Sequence, residues 1–292
     1  MTVDLPPDIT LIPNGVFGLE KYGATYLIGG EELILVDPGT SDSVPRVLDW
    51  FEKSPFQLSR ISSILLTHIH LDHAGAVGHL ANELTDIKVY VHSGGAPHLV
   101  DPSELLASVK EATGARFSQY GTLKSIGEER IVSLDDRTTL NLGSRELLAL
   151  PTPGHAPHHI AYKDRKTGAV FTGDSAGLYL DGKLIPATPP PSFDLEKNLT
   201  SLEKVKGSSP SILLYSHFGP GKDPANLLGE YGRILREWVD LISTLNSRYG
   251  KEEKVYTEVL KRKKDWLRAG ITEEELNMSV RGVRKYLSWK GS

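Results

Sequence analysis

The chain has 292 residues, 39% of them hydrophobic, with 33 Lys+Arg against 37 Asp+Glu and a net charge of −4. That length can bury a large core, as one big domain or one domain with an appendage, and the charge balance offers no global attraction to nucleic acid or an anionic membrane. There is no cysteine, which excludes disulfides and thiol catalysis, and no run approaches the ~20 apolar residues that span a bilayer.

In chain order, short strands are expected at 9–13, 24–28 and 32–36, and a helix at 44–53. The third strand runs into Asp37, in Leu35-Val36-Asp37-Pro38-Gly39. A fourth strand, 61–66, leads into Thr67-His68-Ile69-His70-Leu71-Asp72-His73-Ala74-Gly75. His68, His70, Asp72 and His73 are strong metal ligands packed within six positions. A short turn after a strand can aim His68 and His70 at one metal and Asp72 and His73 at a second. Imidazole and carboxylate together suit zinc and neighbouring first-row metals. The bland alternative is a polar turn that happens to be rich in histidine, and it requires four ligand types in this order by chance.

A helix at 75–84 should follow, its start beside the site and favourable to an anionic substrate. His79 on it reads as structural. Strand 88–91 ends at His92, which either lines a pocket or caps the strand, and no ligand role is expected of His98. The segment 101–113 reads as helical, and 114–127 as a glycine-punctuated connection or lid.

A second strand set is expected at 130–134, 138–142, 146–150, 159–163, 169–172 and 211–215. Three of these strands run into glycine-containing turns that present ligand types: Thr152-Pro153-Gly154-His155, Phe171-Thr172-Gly173-Asp174 and Ser216-His217-Phe218-Gly219. Alone, His155 or His217 would read as an ordinary polar histidine. With the first cluster, four strand ends deliver ligands to one open rim. Tyr179, five residues after Asp174, is a candidate donor to a developing oxyanion. The stretch 185–193, stiffened by Pro186, Pro189, Pro190 and Pro191, is either a surface connection before a helix at 195–205 or a rigid pocket wall.

The last ~70 residues read as helical, at 227–245 and 252–269, with Thr272-x-x-Glu275 as a capping box opening a final helix to about 289. The expected division is a catalytic domain at 1–222 and a helical appendage at 223–292 that packs on the core, closes over the site or forms a homodimer. Lys261-Arg262-Lys263-Lys264 sits among Glu252, Glu253, Glu258 and Asp265, so it reads as a solvated helix face rather than a nucleic-acid contact.

His68-x-His70-x-Asp72-His73, then His155, Asp174 and His217, resembles the signature of the metallo-β-lactamase superfamily of hydrolases, in family order over roughly residues 8–220. The resemblance implies an α/β fold, a four-layer αββα sandwich, with a helical C-terminal extension here. It implies one divalent ion held by His68, His70 and His155, a second by Asp72, His73 and His217, and Asp174 bridging the two. Zn²⁺ is the expected ion, with Fe or Mn as alternatives. Asp37 and His159 would stand behind the ligands and orient them. His158 stands where such proteins more usually have glycine.

Two such ions about 3.5–4 Å apart can share a water and lower its pKa from 15.7 toward neutrality, giving a hydroxide that attacks a small ester-type substrate. Asp72 would act both as ligand and as the acceptor that orients this nucleophile. The expected substrate is a phosphodiester or phosphotriester, a lactone or a thioester. Similarity to glyoxalase II holds in the motifs and the helical C-terminal region, without a match for its glutathione-contacting basic residues. The commonest zinc β-lactamases need a cysteine where Asp174 stands and are exported, whereas this chain opens Met1-Thr2-Val3-Asp4-Leu5-Pro6-Pro7 without a basic or apolar leader, so a cytoplasmic protein is expected. The alternatives are a mononuclear iron oxidoreductase of the persulfide dioxygenase kind and a non-catalytic scaffold. Scaffolds lose ligands, and none is missing here.

Overall fold

The computed structural model of the protein describes residues 4–84 and 86–290. Its first sheet takes six strands in sequence order: β1 (Ile9–Pro13), β2 (Ala24–Ile28), β3 (Leu33–Val36), β4 (Ile61–Leu65), β5 (Lys88–His92) and β6 (Ile131–Leu134). The first three are antiparallel and β3 to β6 are parallel. Parallel neighbours need crossovers. These are α1 (Val44–Lys53), then α2 (Leu71–Ala74) with α3 (Val77–Glu83), then α4 (Ala96–Val100) with α5 (Ser103–Thr113).

The second half begins with β7 (Thr138–Leu142), β8 (Arg145–Pro151), β9 (Ile160–Asp164) and β10 (Ala169–Gly173), followed by a separate ribbon of β11 (Leu178–Leu180) and β12 (Lys183–Ile185). After α6 (Leu195–Gly207) come β13 (Ile212–Tyr215) and β14 (Gly219–Gly221), giving a sheet ordered β14-β13-β10-β9-β8-β7. The chain finishes with α7 (Pro224–Tyr249), α8 (Glu252–Arg262), α9 (Lys264–Ala269) and α10 (Glu273–Lys290).

Period-two alternation sets the layers. In β3, Leu33 and Leu35 face a cluster with Val47, Phe51, Val77 and Leu80 of α1 and α3, while Ile34 and Val36 face the second sheet. In β13, Ile212 and Leu214 face the first sheet, and Leu213 and Tyr215 face a cluster with Leu202 of α6 and Leu235 and Trp238 of α7. Tyr26, Phe171, Tyr162 and Leu147 fill the space between the sheets. Runs buried on both faces need no polar alternation, which is why these strands read as continuous apolar stretches. The result is the αββα sandwich. Helices α7, α8 and α10 share the apolar cluster of the second sheet, through residues such as Trp238, Val255, Val259 and Val283.

Several expectations are corrected. The strand at 130–134 belongs to the first sheet, as β6 beside β5, and not to the second strand set. The helix expected at 75–84 is split: the ligand residues themselves form α2, and α3 starts only at Val77. Gly75 and Ala76 donate their amides to the carbonyls of Leu71 and Gly39, so they offer nothing to a substrate anion. The helix at 252–269 breaks at Lys263 into α8 and α9. The Thr272–Glu275 capping box forms, with Thr272 N to Glu275 Oε2 at 3.0 Å and Glu275 N to Thr272 Oγ1 at 3.2 Å. In the basic run, Lys261 and Arg262 pair with Glu258 at 2.8 and 2.5 Å, and the Lys263 ammonium lies 4.2 Å from the Trp266 ring centre. Among the described residues no helix is long and apolar enough to cross a membrane.

Candidate metal centre

All seven ligand-type residues meet at one rim, at the ends of β4, β8, β10 and β13. His68 Nε2 lies 2.9 Å from His70 Nδ1, which lies 3.0 Å from His155 Nε2. Beside them His73 Nε2 is 3.1 Å from His217 Nε2, and Asp72 Oδ2 is 3.5 Å from His217 Nε2. Asp174 divides its carboxylate between the groups. Its Oδ2 is 3.5 Å from His155 Nε2, and its Oδ1 is 3.4 and 3.7 Å from the Nε2 atoms of His73 and His217.

The outward nitrogens fix which lone pairs point inward. His155 Nδ1–H donates to the Ala187 carbonyl and His217 Nδ1–H to the Tyr22 carbonyl, both at 3.0 Å. His73 Nδ1–H donates to Asp37 Oδ2 at 2.9 Å, and His68 Nδ1–H to Thr67 Oγ1 at 3.1 Å. In its neutral form each of these rings therefore presents a bare Nε2 to its neighbours. Acceptor atoms about 3 Å apart repel unless a cation sits among them. Asp174 Oδ1 agrees: it is buried without a hydrogen-bond partner, which is costly for a carboxylate oxygen. The donor set of imidazoles and carboxylates suits divalent metal ions.

Asp37 and His159 stand behind the ligands. Asp37 accepts from the Thr67 amide at 2.8 Å, the Thr67 hydroxyl at 2.7 Å and the Ser216 hydroxyl at 2.8 Å, besides His73. One carboxylate thus ties together the loops after β3, β4 and β13. His159 Nε2 accepts the Asp174 amide at 3.1 Å and its Nδ1 bonds Thr152 Oγ1 at 2.8 Å, so it sets the backbone that carries Asp174. Gly173 makes this approach possible. At its φ of +48°, a Cβ would lie 2.5 Å from Thr67 Oγ1 and 2.6 Å from His159 Nε2. Gly173→Ala is expected to cost about 2–4 kcal/mol through backbone strain and overpacking. Calorimetry should show Tm lower by about 5–10 °C.

Electrostatics favour cations in this nest. Burial opposes ionisation of Asp72 and Asp174, yet the imidazoles around them outweigh it and hold both below the usual carboxylate range. Burial likewise opposes a charge on His73 and His217, but Asp174 and neighbouring carboxylates raise both. His68, His70, His155 and His159 are lowered, by burial above all, and His158 is lowered to about 4 by burial and His155. The pH dependence of the metal-free protein follows. The five lowered histidines contribute stability that is full above their unfolded pKa of 6.5 and is lost as pH falls below it. The two raised ones contribute fully below 6.5 and lose their share as pH rises through their folded values. Between pH 7 and 5 the five dominate, His158 alone accounting for about 2 kcal/mol. In chelator, Tm should therefore fall by about 4 °C or more over that interval.

The ligands floor a cavity of about 370 Å³ reached by His70, Asp72, His155, Asp174 and His217. The stretch 185–193 is a wall of it, contributing Pro186 to Ser192, and does not merely connect surface elements. Two pocket candidates fall elsewhere. His92 is not among the lining residues, because its Nδ1 turns back to accept the Gly94 amide at 3.0 Å. Tyr179 is also outside the lining, its ring stacked on Tyr215 with centres 5.0 Å apart.

Sequence reading missed Tyr22, Tyr120 and Glu104, and saw Glu275 only as a cap. Tyr22 carries no local signal. It packs on His217 with ring centres 4.8 Å apart, and its hydroxyl donates to Glu275 of α10. The C-terminal helices also hold the proline wall: Trp238 Nε1 donates to Thr188 Oγ1 at 3.1 Å, and Thr188 Oγ1 donates to the Ser279 carbonyl at 2.9 Å. Ala187, next to Thr188, is the carbonyl that orients His155.

Comparison with known proteins places this arrangement. A metallo-beta-lactamase fold-containing protein of Sulfurisphaera tokodaii is 30% identical over 214 residues, covering 71% of this chain and 77% of that one. A hydroxyacylglutathione hydrolase of Pseudomonas savastanoi is 29% identical over 190 residues, 64% of this chain and 57% of its own. The crystal structure of a metallo-beta-lactamase family protein from Thermus thermophilus superposes with a TM-score of 0.73 at 20% identity, covering 98% of this chain and 94% of that one, helical C-terminal region included. The family model of the metallo-beta-lactamase superfamily matches residues 19–217, the span that carries every ligand from His68 to His217. With the sandwich, the four ligand-bearing strand ends and this match in agreement, the chain belongs to the metallo-beta-lactamase superfamily.

Proposed function

We propose that this chain is a dinuclear-metal-dependent hydrolase of small ester-type substrates. His68, His70 and His155 would hold one ion, Asp72, His73 and His217 the other, and Asp174 would serve both. The observation that carries the reading is the split carboxylate of Asp174, with one oxygen facing each ligand group and Oδ1 otherwise unpartnered. Two divalent ions, zinc by the donor set, would supply a Lewis acid and a water with a pKa near 7.

The chain's own residues do the rest. Asp37 and the carbonyls of Tyr22 and Ala187 hold three ligand imidazoles in the tautomer that binds a cation. Asp72, more exposed to the cavity than the histidines beside it, is placed both to bind an ion and to accept a hydrogen bond that orients the nucleophile. The proline wall and α5 narrow the access of bulk water. Hydrolysis as the reaction class is supported by the likeness to a hydroxyacylglutathione hydrolase. A persulfide dioxygenase-like activity would use only one histidine pair and a carboxylate, leaving His73 and His217 without a purpose.

The test is hydrolysis of p-nitrophenyl acetate and bis(p-nitrophenyl) phosphate by zinc- or manganese-loaded protein. Turnover that a chelator removes and metal restores is expected on at least one of them. Oxygen uptake by iron-loaded protein, with neither ester cleaved, would contradict the proposal.

A further inference from the structure

Resting on the hydrolase reading, we infer that the site takes an uncharged ester, thioester or lactone with a short apolar acyl group, and discriminates against anionic substrates such as glutathione thioesters. The ions would receive the reacting carbonyl of any ester, so selectivity lies in what the remaining cavity offers. Among the described residues that line it there is no lysine or arginine. Binding of a carboxylate or phosphate usually relies on such groups, arginine above all. The carboxyl side chains in the lining beyond the ligands are Glu104 of α5 and Glu275, the latter buried and held by Tyr22 and Thr272.

Arginines on the surrounding elements are engaged elsewhere. The Arg116 guanidinium lies 5.4 Å from the Phe17 ring centre and 3.9 Å from Glu274. Arg281 donates to the Ala112 carbonyl at 3.0 Å and lies 3.8 Å from Glu252. The Tyr22 hydroxyl, which could otherwise meet an anionic oxygen, already donates to Glu275.

Most of what the cavity offers is apolar, with Ser108, Thr113 and Tyr120 among the polar exceptions. Leu105 and Val109 come from α5, Ile271 from the turn before α10 and Met278 from α10 itself, and the proline wall completes the lining. A volume of about 370 Å³ is at the small end for ligand sites, which fits a short chain. His158 also lines the cavity, beside His155.

The experiment uses metal-loaded full-length protein with p-nitrophenyl acetate, butyrate and hexanoate, and compares S-butyryl-N-acetylcysteamine with S-lactoylglutathione. We expect kcat/KM to rise about two- to fourfold per methylene along the series, and the uncharged thioester to be favoured at least about tenfold. Val109→Ala should flatten the series, and Ser108→Arg, which adds a cation to the lining, should shift the thioester ratio toward the glutathione substrate. Ester turnover with a flat series, or preference for the glutathione substrate, would overturn the inference and leave the hydrolase standing. Cleavage of bis(p-nitrophenyl) phosphate with none of these carboxyl substrates turned over would likewise overturn the inference alone, and no turnover of any of them, the phosphodiester included, would overturn both.

Discussion

Replacing Asp174 with alanine is expected to lower ester hydrolysis about a thousandfold or more and to leave a folded protein that retains fewer metal ions. Asp174 is the side chain whose two oxygens face both ligand groups, at 3.5 Å from His155 Nε2 on one side and 3.4 Å from His73 Nε2 on the other. Without it, the groups of His68, His70 and His155 and of Asp72, His73 and His217 remain, but the second loses its nearest shared anion. A metal ion contributes several kcal/mol of charge stabilisation to a transition state, and a factor of ten corresponds to about 1.4 kcal/mol, so the loss of one ion gives this magnitude. The measurement is zinc per chain by plasma emission after dialysis, with kcat and circular dichroism on the same sample. Retention of wild-type zinc with activity within tenfold of wild type would contradict the bridging role.

Asp37→Ala should have the largest effect on stability. Four donors converge on this one buried carboxylate: the Thr67 amide, the hydroxyls of Thr67 and Ser216, and His73 Nδ1–H. Alanine removes the acceptor from all of them. Each buried donor left unsatisfied costs about 1–3 kcal/mol, for a total of about 4 kcal/mol or more, and a Tm lower by about 8 °C or more. Asp37 also sits at a φ of +48°, where aspartate and asparagine are tolerated and alanine is strained. Loss of the partner that fixes the His73 tautomer should weaken metal binding about 10–100-fold. Asp37→Asn keeps the backbone preference and one acceptor oxygen, so it should fall between wild type and alanine. Thermal unfolding in chelator separates the stability effect from the metal effect, and a zinc titration reads the second. An alanine variant with unchanged Tm in chelator would contradict the account of Asp37.

The ligand-type residues that gather at the rim were largely legible in the sequence. Each ligand turn follows a strand and contains a glycine, so local pattern alone places His68, His155, Asp174 and His217 at strand ends. Strand and helix cores were legible for the same reason, since alternation and helical spacing are local. Partnership was not. The strand Ile131–Leu134 pairs with β5, 38 residues before it, rather than with β7, which follows after three residues, a choice decided by the crossover through α4 and α5. Glu275 announces itself as a cap through Thr272, yet its other oxygen accepts from Tyr22, 253 residues away. Side-chain direction was also out of reach: His92 stands at a strand end as expected, but its ring closes its own turn instead of facing the cavity. The proline stretch could be read as stiff, while its place as a wall depends on Thr188 being held by Trp238 and Ser279.

The most direct test of the account is anomalous scattering from crystals of zinc-loaded protein, recorded on either side of the zinc absorption edge. Two peaks are expected, one among His68, His70 and His155 and one among Asp72, His73 and His217, with the Asp174 carboxylate between them. A single peak, or two peaks that do not share Asp174, would contradict it.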